Sequence, residues 1–201
     1  ALTPETFLDS LVYHLGLPNL YLIRHRIETM PDNLYSGFPA LSQMWSVLAL
    51  ACQGDILAKT FNWAVGILLG ITLWHLAEDA TQSETAASYK KEAALWAVLI
   101  FFSTPGLGPL MWHPTGDVAC AFFSLLALQS ALIYKESGSW ARLTLSGIFW
   151  GLALSIKYTA AIVMLPILVL TATATGRRIM ACVWFLVLGL MVFSPWWIKN
   201  W

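Results

Sequence analysis

Charge is scarce in this sequence. Of its 201 residues only 11% are Asp, Glu, Lys or Arg, against about 25% in ordinary soluble domains. A soluble globule of this size could not cover its surface with so few ions, which excludes a cytosolic enzyme. The 11 basic and 11 acidic residues cancel to a formal net charge of zero, so no basic surface is available for nucleic acid. Cysteine is also sparse: Cys52, Cys120 and Cys182 stand in apolar runs without paired spacing. That excludes a disulfide framework or zinc site and leaves them packing roles. A phosphate-binding Gly-rich loop, a Gly-x-Ser-x-Gly elbow and a His-Glu-x-x-His pair are all missing, which removes the support for nucleotide, serine-hydrolase and zincin chemistry. No file of carboxylates runs through the apolar segments, which weighs against a proton-coupled transporter.

What the sequence does have is apolar length. Hydrophobic residues make up 58% of the chain and the mean hydropathy is +0.68. Its 11 Trp residues suit a membrane–water interface, where an indole keeps its N–H wet and its ring buried. The expected fold is an all-α integral membrane protein, a polytopic helical bundle of about six spans with amphipathic interfacial helices in a large N-terminal external loop. The expected spans are Ile56 to Leu76, Ala93 to Leu110, Val118 to Tyr134, Leu143 to Ile156, Thr159 to Thr173 and Ile179 to Phe193. Leu143 to Thr173 can also be read as one long or one broken helix. Charge favours two crossings. Lys90 with Lys91, Lys135 with Arg142, and Arg177 with Arg178 then share one side, which the positive-inside rule makes cytoplasmic. Arg24, Arg26, Lys157 and Lys199 fall outside, with Lys59 a further candidate there, and the loop Ser194 to Trp201 is external as well.

Residues 1–53 differ in kind. Leu8, Leu11, Val12 and Leu15 share one helical face, and Leu20, Ile23 and Ile27 another, as in short helices lying in the interface. Ala40 to Ala51 reads as an apolar helix too short to cross. Residues 54–201 form the transmembrane bundle. The polar, aromatic start at Ala1 and the end at Trp201 directly after an apolar run lead to the expectation of a portion of a longer membrane protein.

Asp9, at the outer interface, is placed either to act as a general base toward a membrane-anchored substrate or to cap the helix that follows. Asp117, at the mouth of its span, is either functional, as ionisable groups at that depth tend to be, or a cap shared with Thr115. Lys157 either meets a lipid phosphate or snorkels to the interface, and Arg24 and Arg26 admit the same two readings. His14, His25 and His113 are expected outside but without metal-ligand spacing.

Asp9 to Tyr21, Asn33 to Pro39, Asp117, Lys157 to Thr159 and Ser194 to Asn200 together resemble the GT-C glycosyltransferases. The likeness is to the bacterial members related to protein O-mannosyltransferases and aminoarabinose transferases. The resemblance implies an inverting transfer of a sugar from a polyprenyl-phosphate donor to an acceptor on the external, periplasmic face of a bacterial inner membrane. It implies Asp9 as catalytic base and Asp117 as a second acidic site residue, where a divalent metal ion is a candidate cofactor. Lys157 and Arg24 then stabilise the leaving phosphate, and Tyr13, His14, Tyr35 and Tyr158 line the substrate site. Membrane lipids and membrane-complex partners are expected, and nucleic acid is not. A non-catalytic membrane subunit and a lipid-linked-sugar transporter are the rival readings.

Overall fold

The computed structural model describes residues 3–52, 54–80, 87–174, 176 and 178–201. Among them the chain is all helical, without a strand. A π turn at Ser10–His14 leads into α1 (Gly16–Arg24), and a 3-10 turn at Leu34–Gly37 precedes α2 (Leu41–Cys52). The apolar runs then give α3 (Asp55–Ala80), α4 (Ala87–Ser103), α5 (Leu107–Trp112), α6 (Asp117–Ser137) and α7 (Trp140–Leu154). A 3-10 turn at Tyr158–Val163 introduces α8 (Met164–Thr173), and α9 (Arg178–Asn200) ends the chain. Three of these, α3, α6 and α9, are long and apolar enough to cross a membrane. The other expected crossings are shorter helices.

The break at Lys157 is a reversal. Trp150 Nε1 donates to the carbonyl of Ala160 at 3.0 Å, whereas a continuous helix would hold residues ten apart about 15 Å from each other. Three boundaries depart from the sequence reading. The apolar run from Ala93 to Leu110 is divided, because Pro105 cannot donate an N–H; α4 stops at Ser103 and α5 is a separate turn of helix. Ser194 to Trp201 is no loop, since α9 continues through Pro195 to Asn200. Pro195 leaves the Met191 carbonyl without its usual donor, and Ser194 Oγ supplies one at 2.8 Å. Leu20, Ile23 and Ile27 do not share a helix, because α1 ends at Arg24 with His25 in the left-handed region. Cys52 is exposed rather than packed. Arg177 lies outside the described residues. Lys90 and Lys91 line a cleft with Gln129 and Glu136, toward the end of α6 remote from Asp117.

The bundle is held by close helix crossings. α6 packs on α3 and α7, α7 on α9, and α8 on α6 and α9, around Ala127, Ala131, Leu143, Trp150, Ile167 and Phe185. Lipid offers no hydrophobic drive between helices, so small residues and polar bonds must bring them together. Ser146 Oγ donates to the Ala127 carbonyl at 2.8 Å. Gly147 and Gly151 present one smooth strip of α7 to Gly189 of α9. A Cβ at Gly151 would stand 2.6 Å from the Gly189 carbonyl oxygen, and one at Gly189 would run into the Trp150 ring. Gly151→Leu should therefore lower the melting temperature in detergent, with a cost of about 1–3 kcal/mol from overpacking. Gly108→Ala, where an added Cβ meets nothing within 4 Å, should leave it unchanged.

Candidate active site

One cavity of about 250 Å³ opens where the N-terminal segment lies over the bundle. Four pieces of chain build it. The π turn contributes Tyr13 and His14, and the 3-10 turn contributes Tyr35, with Phe38 just beyond it. The start of α2 supplies Ser42 and Gln43, and the reversal after α7 supplies Ile156, Lys157, Tyr158 and Thr159.

Each piece is fixed by local chemistry. In the π turn the Leu15 N–H reaches back to the Ser10 carbonyl at 2.7 Å, and the wide turn sends both Ser10 and His14 inward. Gly16 is required directly after it, since a Cβ there would lie 2.5 Å from the Leu11 carbonyl oxygen. At the 3-10 turn, Asn33 Oδ1 accepts from the Tyr35 N–H at 3.0 Å, and Ser36 Oγ accepts from the Met30 N–H at 2.7 Å. The far end of α9 grips the same turn. Lys199 Nζ donates to the Ser36 and Phe38 carbonyls, and Asn200 Nδ2 donates to that of Gly37 at 2.7 Å. The Leu41 N–H at the head of α2 donates to the Ser155 carbonyl at 3.0 Å.

Aromatic rings form one wall. Tyr13 and Tyr35 stack at 4.3 Å with only 10° between their planes. Edge contacts continue from Tyr35 to Phe38, from Phe38 to Tyr158 and on to Phe193 of α9.

The ionic groups gather at the rim. Lys157 Nζ stands 2.6 Å from Asp117 Oδ1, so Lys157 neither snorkels free nor faces a ligand with an unmatched charge. Asp117 is the first residue of α6, and the residue at the N-cap, Gly116, has no side chain to cap it. Thr115 Oγ1 is turned to the Leu110 carbonyl instead, at 3.3 Å. Asp9 is exposed and makes no side-chain cap bond, so it does not serve as the cap of the π turn. Neither Asp9 nor Asp117 lines the cavity, yet both charges bear on Tyr13. Burial first, then Asp9, Asp117 and Tyr35, push its hydroxyl up to about 12. Burial, reinforced by Lys157 and opposed by Asp117, brings His14 down to about 4. Arg24 is not drawn in; it pairs with Glu28 at 3.0 Å near the end of α1. Among the described residues no group of three or more His, Cys, Asp or Glu is arranged to hold a metal ion. Asp117, with Lys157 on its carboxylate, does not supply such a donor set by itself.

Sequence reasoning missed a second buried network just outside the cavity. His113 is one of its members. Glu5 Oε1 accepts from the N–H groups of Thr6 and Phe7 at 2.9 and 2.8 Å and lies 2.8 Å from His113 Nδ1. Lys59, buried in α3, approaches Glu5 Oε2 at 3.6 Å and donates to the Thr3 carbonyl at 2.7 Å. Burial alone would raise the Glu5 carboxyl, but the Phe7 and Thr6 bonds and His113 outweigh it and hold it below its ordinary value. Phe7 stacks on the His113 ring at 4.7 Å, and Asn62 Nδ2 holds the carbonyls of Leu110 and His113, each at 2.7 Å. The network pins the segment that carries Asp9 onto α3 and α5. Its sequence signal was Lys59, a cation near the start of a long apolar run.

Residues 43–199 match the family model of the dolichyl-phosphate-mannose-protein mannosyltransferases. The chain belongs to that family. It is thereby a GT-C glycosyltransferase of the membrane, from a family whose donor is a polyprenyl-phosphate sugar. Neither the curated proteins nor the solved structures gave a match. The matched residues of this mannosyltransferase-family chain include Gln43, Asp117, Lys157 and Tyr158. Asp9, Tyr13, His14, Arg24 and Tyr35 precede them, so these residues rest on geometry.

Two measurements probe the site's construction. Glu5→Gln leaves Lys59 buried without its counter-ion and should cost about 3 kcal/mol, seen as a lower melting temperature and faster proteolysis ahead of α1. His14 ionises near 6.5 when unfolded but near 4 when folded. Between those values the unfolded chain binds more protons, so stability should fall as pH drops from about 6.5 to about 4. Replacing His14 with Phe should flatten that part of the melting-temperature profile.

Proposed function

We propose that the protein transfers a sugar from a polyprenyl-phosphate donor to an acceptor on the external face of the membrane, with inversion at the anomeric carbon. The observation that carries this reading is the convergence at one cavity mouth. Asp9, without a side-chain partner among the described residues, and Asp117 both bear on Tyr13, which lines a chamber walled by aromatic rings together with Lys157, the partner of Asp117. Residues 1–53 are then the external segment over the site, and residues 54–201 the transmembrane part of a longer catalytic domain in a bacterial inner membrane.

The chemistry follows from what each group can do. Asp9, free of any cap, accepts the proton of the acceptor nucleophile as that atom attacks the anomeric carbon. The new bond forms on one face while the bond from the anomeric carbon to the phosphate oxygen breaks on the other. Its electron pair leaves on the polyprenyl phosphate. Lys157, a compact cation whose position Asp117 fixes, lies at the rim to meet the negative charge gathering there. Asp117 thus sets where the cation stands, and Tyr13, Tyr35 and Tyr158 give the sugar ring a flat apolar surface. Arg24, engaged with Glu28, takes no part in this step.

Asp9 is exposed and, among the described residues, makes no side-chain hydrogen bond or ion pair, so Asp9→Asn should fold normally. Transfer of labelled sugar from polyprenyl-phosphate mannose by the full-length protein should fall at least about a hundredfold in kcat, with the donor KM little changed. Wild-type rates in this variant would remove Asp9 from the reaction.

A further inference from the structure

The end of the bundle remote from the candidate active site carries a cleft that the transfer reaction does not use. It encloses about 740 Å³ between the end of α3, the start of α4 and the end of α6, within the roughly 300–1,000 Å³ range of small-molecule sites. Glu136 on its wall follows Asp117 along α6 by about 28 Å, at 1.5 Å per residue. The hydrocarbon core of a bilayer is roughly 30 Å thick, so the cleft belongs to the leaflet opposite the cavity.

Both signs of charge line it. Lys90 and Lys91 come from α4, Glu78 and Asp79 from α3, and Glu136 from α6. Glu78 Oε2 lies 3.6 Å from His75 Nδ1, and Asp79 Oδ2 accepts from Gln129 Nε2 at 3.4 Å. Among the described residues no ion pair joins either lysine to any of these three carboxylates. The opposite charges face one cleft and leave a gap between them.

The same two helices carry an apolar groove of about 410 Å³, whose lining includes Ile67, Ile71, Trp74, Val98 and Phe102. Ile67, Ile71, Trp74 and Glu78 recur at the spacing of one face of α3, and Lys91, Val98 and Phe102 at that of one face of α4. Each helix therefore sets a charge of the cleft in line with residues of the groove. Ile67, Ile71 and Phe102 are exposed. From Glu78 down to Ile67 the stripe runs about 16 Å, close to half the thickness of a hydrocarbon core.

We propose that cleft and groove together hold one phospholipid whose headgroup carries a primary ammonium beyond its phosphate, an ethanolamine-type lipid of the leaflet opposite the cavity. The site uses none of the residues assigned to sugar transfer.

The chemical class follows from the charges and their separation. A phosphate only accepts, and Lys90 and Lys91 are donors; an ammonium only donates, and Asp79 and Glu136 accept. Three carboxylates against two lysines leave one negative charge in excess. A headgroup whose single charge is its phosphate meets that excess as repulsion, whereas one with an added cation bridges the two walls. A quaternary ammonium has the right charge but no N–H to donate. The groove takes one acyl chain, and its length matches the part of a lipid that lies in one leaflet. In the sequence Lys90 and Lys91 read only as a mark of the cytoplasmic side.

The full-length protein, stripped of lipid in detergent, is offered an equimolar mixture of phosphatidylethanolamine, phosphatidylcholine and phosphatidylglycerol with identical acyl chains. Bound lipid is counted by native mass spectrometry. Phosphatidylethanolamine should be retained at least about fivefold over each of the others, the scale of a partly exposed charge pair. Asp79→Asn combined with Glu136→Gln should bring its ratio to phosphatidylcholine near one. Lys90→Gln combined with Lys91→Gln should lower the retention of all three lipids. None of these four residues is buried, and the lipid ratios are read within one preparation, so a reduced folded fraction does not alter them. Glycerophosphoethanolamine, the same headgroup without acyl chains, should compete at least about a hundredfold less well than the lipid. A wild type without preference, a preference that survives loss of the two carboxylates, or retention that ignores the two lysines overturns the headgroup site. Equal competition by the chain-free headgroup overturns the groove as the seat of the acyl chain. The transfer reaction stands under each of these outcomes.

Discussion

The contact between Lys157 and Asp117 decides the geometry of the end of the bundle that carries the cavity. In a chain with so few charges, a cation and an anion brought to membrane depth must each find a partner, and these two find each other across forty residues of sequence. The pair joins the head of α6 to the reversal between α7 and α8. That reversal supplies one side of the cavity, and its backbone also receives α2 through Ser155. Both partners remain partly exposed, so the pair adds only modest stability. Its effect is to fix the position of a charge, and the wall of aromatic rings is arranged around it.

The segment above the bundle is held at three points. Glu5, Lys59 and His113 secure its beginning, the π turn with Gly16 shapes its middle, and Lys199 with Asn200 holds the 3-10 turn near its end. A loop that carries reactive groups needs such supports, because side chains on unsupported chain do not keep a productive geometry. The support comes from long-range bonds between groups that have no helical partner. α9 is part of this arrangement. By continuing past Pro195 it carries Lys199 and Asn200 up to the turn that bears Tyr35.

Much of the architecture was legible from hydropathy alone, since apolar runs of sufficient length fold as helices wherever the backbone must bond to itself. The reversal at Lys157 was legible too, because a lone cation inside more than thirty uncharged residues marks an interface. The places that escaped are those where a side chain replaces a backbone bond or where burial contradicts polarity. Pro195 reads as a stop unless Ser194 is known to satisfy Met191. Nothing in the neighbours of Glu5 and Gln43 along the chain announces that tertiary contacts cover them. Arg24 reads as available, but Glu28, one helical turn on, engages it. Proximity of Asp9 and Asp117 to Tyr13 is likewise a product of folding, with 108 positions between the two carboxylates along the chain.

The segment over the bundle exposes Leu8, Leu11, Val12, Ile23, Ile27 and Leu34. Such an edge sinks into the acyl boundary of a bilayer while the polar face above it stays hydrated. In the proposed transfer it works as a depth gauge, setting the mouth of the cavity level with the phosphates of the surrounding leaflet. A donor anchored by its own hydrocarbon chain then arrives by sliding within the leaflet, and its search is confined to two dimensions. The acceptor comes from the aqueous side. The two reactants of the proposed transfer therefore approach along perpendicular routes and compete for no common entrance.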